Sequence, residues 1–236
     1  MKKIFSLLVL ISSIVYANEF YAKLNPVHTY NVKSAVSGKI VYINDDIKAN
    51  IANNSTVIKI DSKIDEEDLR QSQNKIKNLQ EILKIEEGTL KSFKKVSSKS
   101  KFDKDNQKIK ILNIISSIND LKTKIATLKD MISKKTLIVK NDYIYDIAVE
   151  VGDYVTPGVL LYSSADLSAG KLEIFIPIDS AKEIKNKTIY LDGKKTDLKI
   201  SKLYKMADLV HISSYKCEII VPSTNNFSTL VKIEFK

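Results

Sequence analysis

Between Ser62 and Lys135 apolar residues recur every seven positions, and this repeat limits the fold more than any other feature of the chain. Leu69, Ile76, Leu83 and Leu90 form one row, with Leu79 and Phe93 on the alternate seam. After a polar break the pattern returns as Ile111, Ile114, Ile118, Leu121, Ile125, Leu128 and Ile132 in 3-4 spacing. Such a repeat keeps one narrow stripe turned towards a partner helix, as in a coiled coil. The break Ser97-Ser98-Lys99-Ser100 has room only for an antiparallel turn-back. A turn centred between Val96 and Lys101 sets Leu69 against Leu128, Ile76 against Leu121, Leu79 against Ile118, and Leu83 against Ile114. Nearer the tip the layers mix, Glu86 with Ile111, Leu90 with Gln107 and Phe93 with Lys104, so loose packing is expected there.

Both arms carry helix punctuation. Ser62-Lys63-Ile64-Asp65 and Ser100-Lys101-Phe102-Asp103 each read as a capping box. Asp65, Glu66, Glu67 and Asp68 place carboxylates against a positive helix end, and Lys94-Lys95 and Lys134-Lys135 sit where the helices run out. Each arm is then about 34 residues, or roughly 50 Å long at 1.5 Å per residue.

The first seventeen residues have the form of a secretory signal: Lys2-Lys3, an apolar core from Ile4 to Val15, and Val15-Tyr16-Ala17 at the cleavage site. The apolar run is shorter than the ~20 residues of a membrane span. The expected product begins at Asn18, is exported, and resides in the periplasm. The formal charge of +10 comes almost wholly from dispersed lysines, Arg70 being the only arginine. Nucleic-acid sites favour Arg forks and stacking aromatics, so no nucleic-acid partner is expected; weak attraction to anionic headgroups is compatible with the charge.

Catalytic and cofactor signals are missing from the pattern. Cys217 is the only cysteine, in the alternating stretch Tyr215-Lys216-Cys217-Glu218-Ile219, and reads as a buried thiol. His28 and His211 lack a third ligand at metal spacing. No Ser-His-Asp or Cys-His set and no phosphate loop is present. The chain is expected to be no enzyme, with no catalytic residue, cofactor or metal.

On either side of the helices, β signals repeat. Val36 to Ile43 reads as a strand, Asn44 to Lys48 as a turn and Thr56 to Ile60 as a strand, with Asn50, Asn53 and Asn54 as candidates for left-handed positions. Tyr143 to Val149, Gly152-Asp153, Val155-Thr156-Pro157-Gly158 and Val159 to Tyr162 follow the same plan. Ile51 matches Val155, and Asn54 matches Gly158. Each half is too small for a core of its own, so the two are expected to fold together. Two half-motifs, Val-Ser-Gly-x-Ile and Val-Gly-Asp-x-Val-x-x-Gly, split by a helical hairpin, resemble the periplasmic adaptor (membrane fusion protein) family. The resemblance extends into 171–236, where Leu172 to Pro177, Lys199 to Leu203, Tyr215 to Val221 and Thr229 to Phe235 look like the strands of the family's β-barrel, with a short helix in Ser180 to Asn186.

The resemblance implies a mixed, elongated, multi-domain fold, an antiparallel α-helical coiled-coil hairpin inserted in a split lipoyl-like β domain and followed by a small β-barrel. The parts run as signal peptide 1–17, N-terminal strands joining the barrel 18–33, lipoyl-like half 34–61, hairpin 62–135, second half 136–168 and barrel 169–236. It further implies an adaptor, peripheral to the inner membrane, bridging an inner-membrane transporter of the RND or ABC type to a TolC-like outer-membrane duct. Val96, Ser97, Ser98 and Lys99 would make the duct contact, Ser98 standing where the family's second helix opens. The family's tip Arg has no counterpart here, and Lys94 or Lys95 offers a point charge rather than a planar fork. Apolar residues outside the seam, Ile82 and Ile85 on one flank and Leu112 and Ile115 on the opposite one, suit head-to-tail association into a trimeric or hexameric ring. Two other readings stand beside this one: a coiled-coil envelope tether with no transport partner, and a lipoyl- or biotinyl-type carrier using Lys59 or Lys63.

Overall fold

The computed structural model describes residues 18–236; the signal segment read in 1–17 lies outside the described residues. In order come β1 (Asn18–Lys23), β2 (Asn25–Lys33), β3 (Gly38–Ile43), β4 (Asn50–Ile60), α1 (Lys63–Lys95), α2 (Lys101–Lys134), β5 (Thr136–Ile147), β6 (Tyr154–Val155) and β7 (Leu160–Pro177). Then follow α3 (Ala181–Ile184), β8 (Ile189–Leu191), β9 (Lys194–Lys195), β10 (Ile200–Leu203), β11 (Ser214–Pro222) and β12 (Leu230–Phe235). Contacts group them into two compact units, Tyr30–Ser164 and residues 18–29 with Ala165–Lys236. The units divide inside β2 and β7, whereas the sequence-based divisions stand at 33/34 and 168/169.

In the Tyr30–Ser164 unit the strand order is β7-β5-β4-β3-β6. β4 and β5 pair antiparallel from Asn50↔Ile144 to Lys59↔Thr136. Ile40, Val57, Ile58, Ile60, Val139, Ile144, Val155 and Leu161 fill the core beneath them. Val57 and Leu161 hold matching buried places three residues beyond Asn54 and Gly158. Ile51 and Val155 do not match: Ile51 is 54% exposed and Val155 is 1% exposed. Ile51 belongs to an unbroken strand opposite Tyr143, and period-two alternation turns Ala52 inward instead. Asn54 does take a left-handed conformation, at φ 44°, but Ala49 at φ 61° stands where Asn50 was expected. The Asn50 side-chain amide donates to the carbonyls of Asp46 (3.1 Å) and Lys48 (3.3 Å), bracing that turn. Gly38 is required by close approach, since a Cβ there would lie 2.5 Å from Ile60 Cγ2.

The helical pair stands between β4 and β5. Its sheltered positions on α1 are Leu69, Ile76, Leu83 and Leu90 in one row, and Asp65, Ser72, Leu79, Glu86 and Phe93 in the other. On α2, Gln107, Ile111, Ile118 and Leu128 are buried, with Ile114, Leu121, Ile125 and Ile132 half-buried between them. Two polar residues, Ser72 and Gln107, are thus buried in the seam. Ser72 donates its hydroxyl towards Asp68 (3.5 Å), and Gln107 donates to the Glu86 carbonyl (2.9 Å) and to its carboxylate. The layer below the tip is therefore joined by directional bonds rather than left loose. The Ser100 capping box forms; the one expected at Ser62 does not. Ser62 donates to Glu66 (2.6 Å), the Lys63 N–H is taken by Asp61 (3.1 Å), and Asp65 is drawn away to Lys135.

At the foot of the hairpin the Ile60 N–H donates to the Lys135 carbonyl and the Asp61 N–H to the Lys39 carbonyl, each at 2.8 Å. Lys135 Nζ donates to the Asp61 carbonyl at 2.7 Å and pairs with the Asp65 carboxylate. Higher up, Lys124 bridges to Asp68 at 2.7 Å.

In the other unit, strands run β1-β12-β8-β9 in one sheet, and β7, β11 and β10 pair in sequence. β1 pairs with β12 from Asn18↔Phe235 to Lys23↔Leu230. Leu172, Ile174, Ile176, Ile184, Ile189, Cys217, Ile219, Ile233 and Phe235 form the core, with Phe20 set edge-on to Phe235 at 5.9 Å. β8 and β9 make a hairpin absent from the sequence-based expectation.

Ile118, 5% exposed in the seam, is expected to cost about 2–5 kcal/mol of unfolding free energy when changed to Ala. Lys84→Ala, on an exposed position of α1, is expected to stay within about 0.5 kcal/mol of the parent. Denaturant unfolding of both variants checks the seam assignment.

Candidate functional site

The described residues present surfaces rather than an enclosed centre. At the hairpin tip α1 ends at Lys95 and α2 begins at Lys101. Val96, Ser97 and Ser98 are exposed and Lys99 is half-buried. Lys99 Nζ lies 4.6 Å from the centre of the Phe93 ring, a cation–π contact that folds the lysine back over the last turn of α1. The Asp103 N–H donates to Ser100 Oγ at 3.1 Å, and the Ser100 N–H donates to the Asp103 carboxylate at 3.2 Å. The Ser100 hydroxyl also donates to that carboxylate at 2.9 Å, and this bond first, with the Ser100 N–H second, holds the Asp103 carboxyl below its usual range. The turn is thus closed from both sides, and Ser97 and Ser98 are left outward with free hydroxyls available to a partner.

On the flanks, Ile82 is 43%, Ile85 67%, Leu112 62% and Ile115 36% exposed. All four lie outside the seam. Phe102 (73% exposed) and Ile109 (54% exposed) were not singled out from sequence. At i, i+7 and i+10, Phe102, Ile109 and Leu112 share one face of α2, so the helical period could have shown this stripe.

The remaining candidates are absorbed locally. Lys59 lies in β4 opposite Tyr42 and Thr136, its Nζ 5.6 Å from the Tyr42 ring centre, and Lys63 opens α1. The His211 ring stacks on Phe175 at 3.4 Å and meets Asp208 at 3.1 Å. Among the described residues no group of three or more His, Cys, Asp and Glu is placed to hold a metal, and no helix is long and apolar enough to cross a membrane. Cys217 is fully buried in β11. Burial first, and the neighbouring Glu218 second, push its thiol from 9.0 up to about 12.

No family model and no curated protein sequence matches the chain. Solved structures do match its fold. The membrane fusion protein Spr0693 from Streptococcus pneumoniae has a TM-score of 0.71 at 8% identity, covering 92% of this chain and 98% of that one. A chimera of MacA with the Pseudomonas aeruginosa MexA α-hairpin scores 0.68 at 15% identity, over 93% of this chain and 79% of that one. A putative efflux transporter from Bacteroides eggerthii scores 0.63 at 12% identity, over 93% and 68%. The chain therefore shares the fold of these three proteins, a membrane fusion protein among them.

In native protein Cys217 is expected to resist thiol alkylation at neutral pH and to react once the chain is unfolded; mass spectrometry of the two samples checks this. The raised thiol also sets a direction for stability. Its contribution is complete below the free thiol's value, and declines above it as pH climbs from 9.0 towards about 12. Thermal melts of the parent and of Cys217→Ala across that range are expected to converge as pH rises.

Proposed function

We propose that the chain is a periplasmic adaptor subunit of an efflux or secretion system. The observation that carries this reading is the outward tip of a helical pair, closed at its foot by β4 and β5, on a fold shared with efflux membrane fusion proteins. In this reading the Tyr30–Ser164 unit is a lipoyl-like domain split by the hairpin, and the remaining unit is the β-barrel. Val96, Ser97, Ser98 and Lys99 dock end-on against an outer-membrane duct of the TolC type. An inner-membrane transporter, proton-driven or ATP-driven, supplies the cargo. With no tip arginine, docking relies on the Ser97 and Ser98 hydroxyls and backbone groups, and Lys99 is half-spent on Phe93. Copies associate head-to-tail through Ile82 and Ile85 on one side and Leu112 and Ile115 on the other, closing into a ring of three or six.

Ser98→Arg is expected to abolish transport while leaving the melting temperature unchanged, because the side chain is exposed. Transport equal to the parent removes the tip contact. For the ring, Ile85→Cys with Leu112→Cys is expected to give disulfide-linked ladders under mild oxidation, and neither single variant to do so. Cys217 can remain in place, being buried and unreactive. Wholly monomeric protein at concentrations where the parent is active removes the ring and favours a tether that works as a single chain.

A further inference from the structure

The segment joining β10 to β11 carries an unusual side-chain arrangement. Met206 is 82%, Leu209 98%, Val210 81% and Ile212 77% exposed. Aliphatic side chains left this open on a loop normally fold back onto the nearest core. Here the loop is braced so that they do not. The Asp208 carboxylate accepts from the backbone N–H groups of Val210 (2.9 Å) and His211 (2.5 Å) and from the His211 ring (3.1 Å). The ring is in turn stacked on Phe175, 3.4 Å away in β7. Both polar side chains of the tip are consumed internally, and the apolar ones are held outward.

The exposed charge leading into this tip is mainly positive. Lys199, Lys202 and Lys205 lead into it and are exposed. Between Lys199 and Glu218 the only carboxylates are Asp208 and Glu218. Asp208 is occupied as described, and Glu218 is 6% exposed and accepts the Tyr204 hydroxyl at 2.9 Å. Beside β10 runs a cleft of about 920 Å³ whose walls carry Lys185, Lys187, Lys195 and Lys199 against one carboxylate, Asp197, and which reaches Leu203, just before the loop. An aliphatic tip with a lysine collar follows the polarity of a bilayer surface: acyl chains inside, anionic headgroups outside. A protein partner would need a fitted pocket for a leucine so fully exposed, whereas lipid needs none.

We propose that the loop between Tyr204 and Ser213 is a lipid anchor that inserts Met206, Leu209, Val210 and Ile212 into the surface of an anionic phospholipid bilayer, with Lys199, Lys202 and Lys205 on the headgroups. The segment is too short to span, so the attachment is reversible and peripheral. It stands independently of any duct contact at the hairpin tip.

The test uses the chain as recovered from the cell envelope, so that any contribution of residues 1–17 is common to parent and variants. Val210→Cys is labelled with an environment-sensitive fluorophore; buried Cys217 does not compete for the label. Vesicles of phosphatidylcholine containing a minority of phosphatidylglycerol are expected to shift its emission to the blue. Phosphatidylcholine alone or added salt is expected to weaken the response, since the lysine contribution is screened. Co-sedimentation of Leu209→Asp/Val210→Asp is expected to fall at least about tenfold, with an unchanged melting temperature. Equal sedimentation of that variant and the parent overturns the proposal, as does a label that stays in water on anionic vesicles. A shift seen with native inner-membrane vesicles but not with protein-free vesicles assigns the loop to a membrane protein and also overturns it.

Discussion

Everything the hairpin can do depends on how its two ends are held together at the foot. α1 and α2 form one long excursion from the sheet, and its ends are joined by the pairing of β4 with β5, ending at Lys59↔Thr136. Closing a long loop costs entropy that grows only slowly with its length, so a modest set of well-placed bonds suffices. The Ile60 N–H donation to Lys135 extends that ladder by one step, while the Asp61 N–H ties the same end to β3 at Lys39. Lys135 then reaches across to Asp61 and Asp65, with its side chain only 12% exposed. Sheltered from water, that ion pair is screened less than the surface pairs along the helices. The same demand explains why Asp65 fails to complete a capping box at Ser62: its carboxylate joins the two chain ends instead of capping one helix.

The seam carries polar residues towards both ends, Asp65 and Ser72 near the foot and Glu86 and Gln107 towards the tip. The middle layers, around Ile118 and Leu83, hold by burial. Nearer the tip the Gln107–Glu86 bonds and the Lys99–Phe93 contact take over. Hydrogen bonds fix geometry more narrowly than aliphatic packing does, so the tip keeps a defined shape even though Val96 and Phe102 stand exposed on it. In the proposed reading that defined shape serves the duct contact, and lateral association falls to the exposed aliphatic residues on the helix flanks.

Much of this was legible in the sequence, for physical reasons that differ from element to element. The heptad rows announced the helical pair because a seam of 3-4 spacing has few other uses, and Ser100 to Asp103 announced the start of α2. Burial of Ser72 and Gln107 was hidden, because polarity alone does not show that a side chain has found its partner. Ile51 was matched with Val155 from its motif position, but the register of β4 leaves Ile51 exposed and Val155 buried. The β8–β9 hairpin did carry a signal, Asp192-Gly193, whose left-handed φ values of 48° and 77° fit a tight hairpin turn; the strands were too short to show alternation. Met206, Leu209, Val210 and Ile212 look like core residues by hydropathy, and only tertiary structure shows them facing water.

The central claim is that the hairpin tip meets an outer-membrane duct, and a crosslink at that point tests it most directly. A photoreactive amino acid placed at Ser98 would be activated in intact cells and its adducts identified by mass spectrometry. The account expects a crosslink to a duct protein, lost when the same group is moved to Lys84 on the outer face of α1. Adducts confined to peptidoglycan-associated proteins, or none from Ser98 while an Ile85 probe still captures a second copy of the chain, would contradict it.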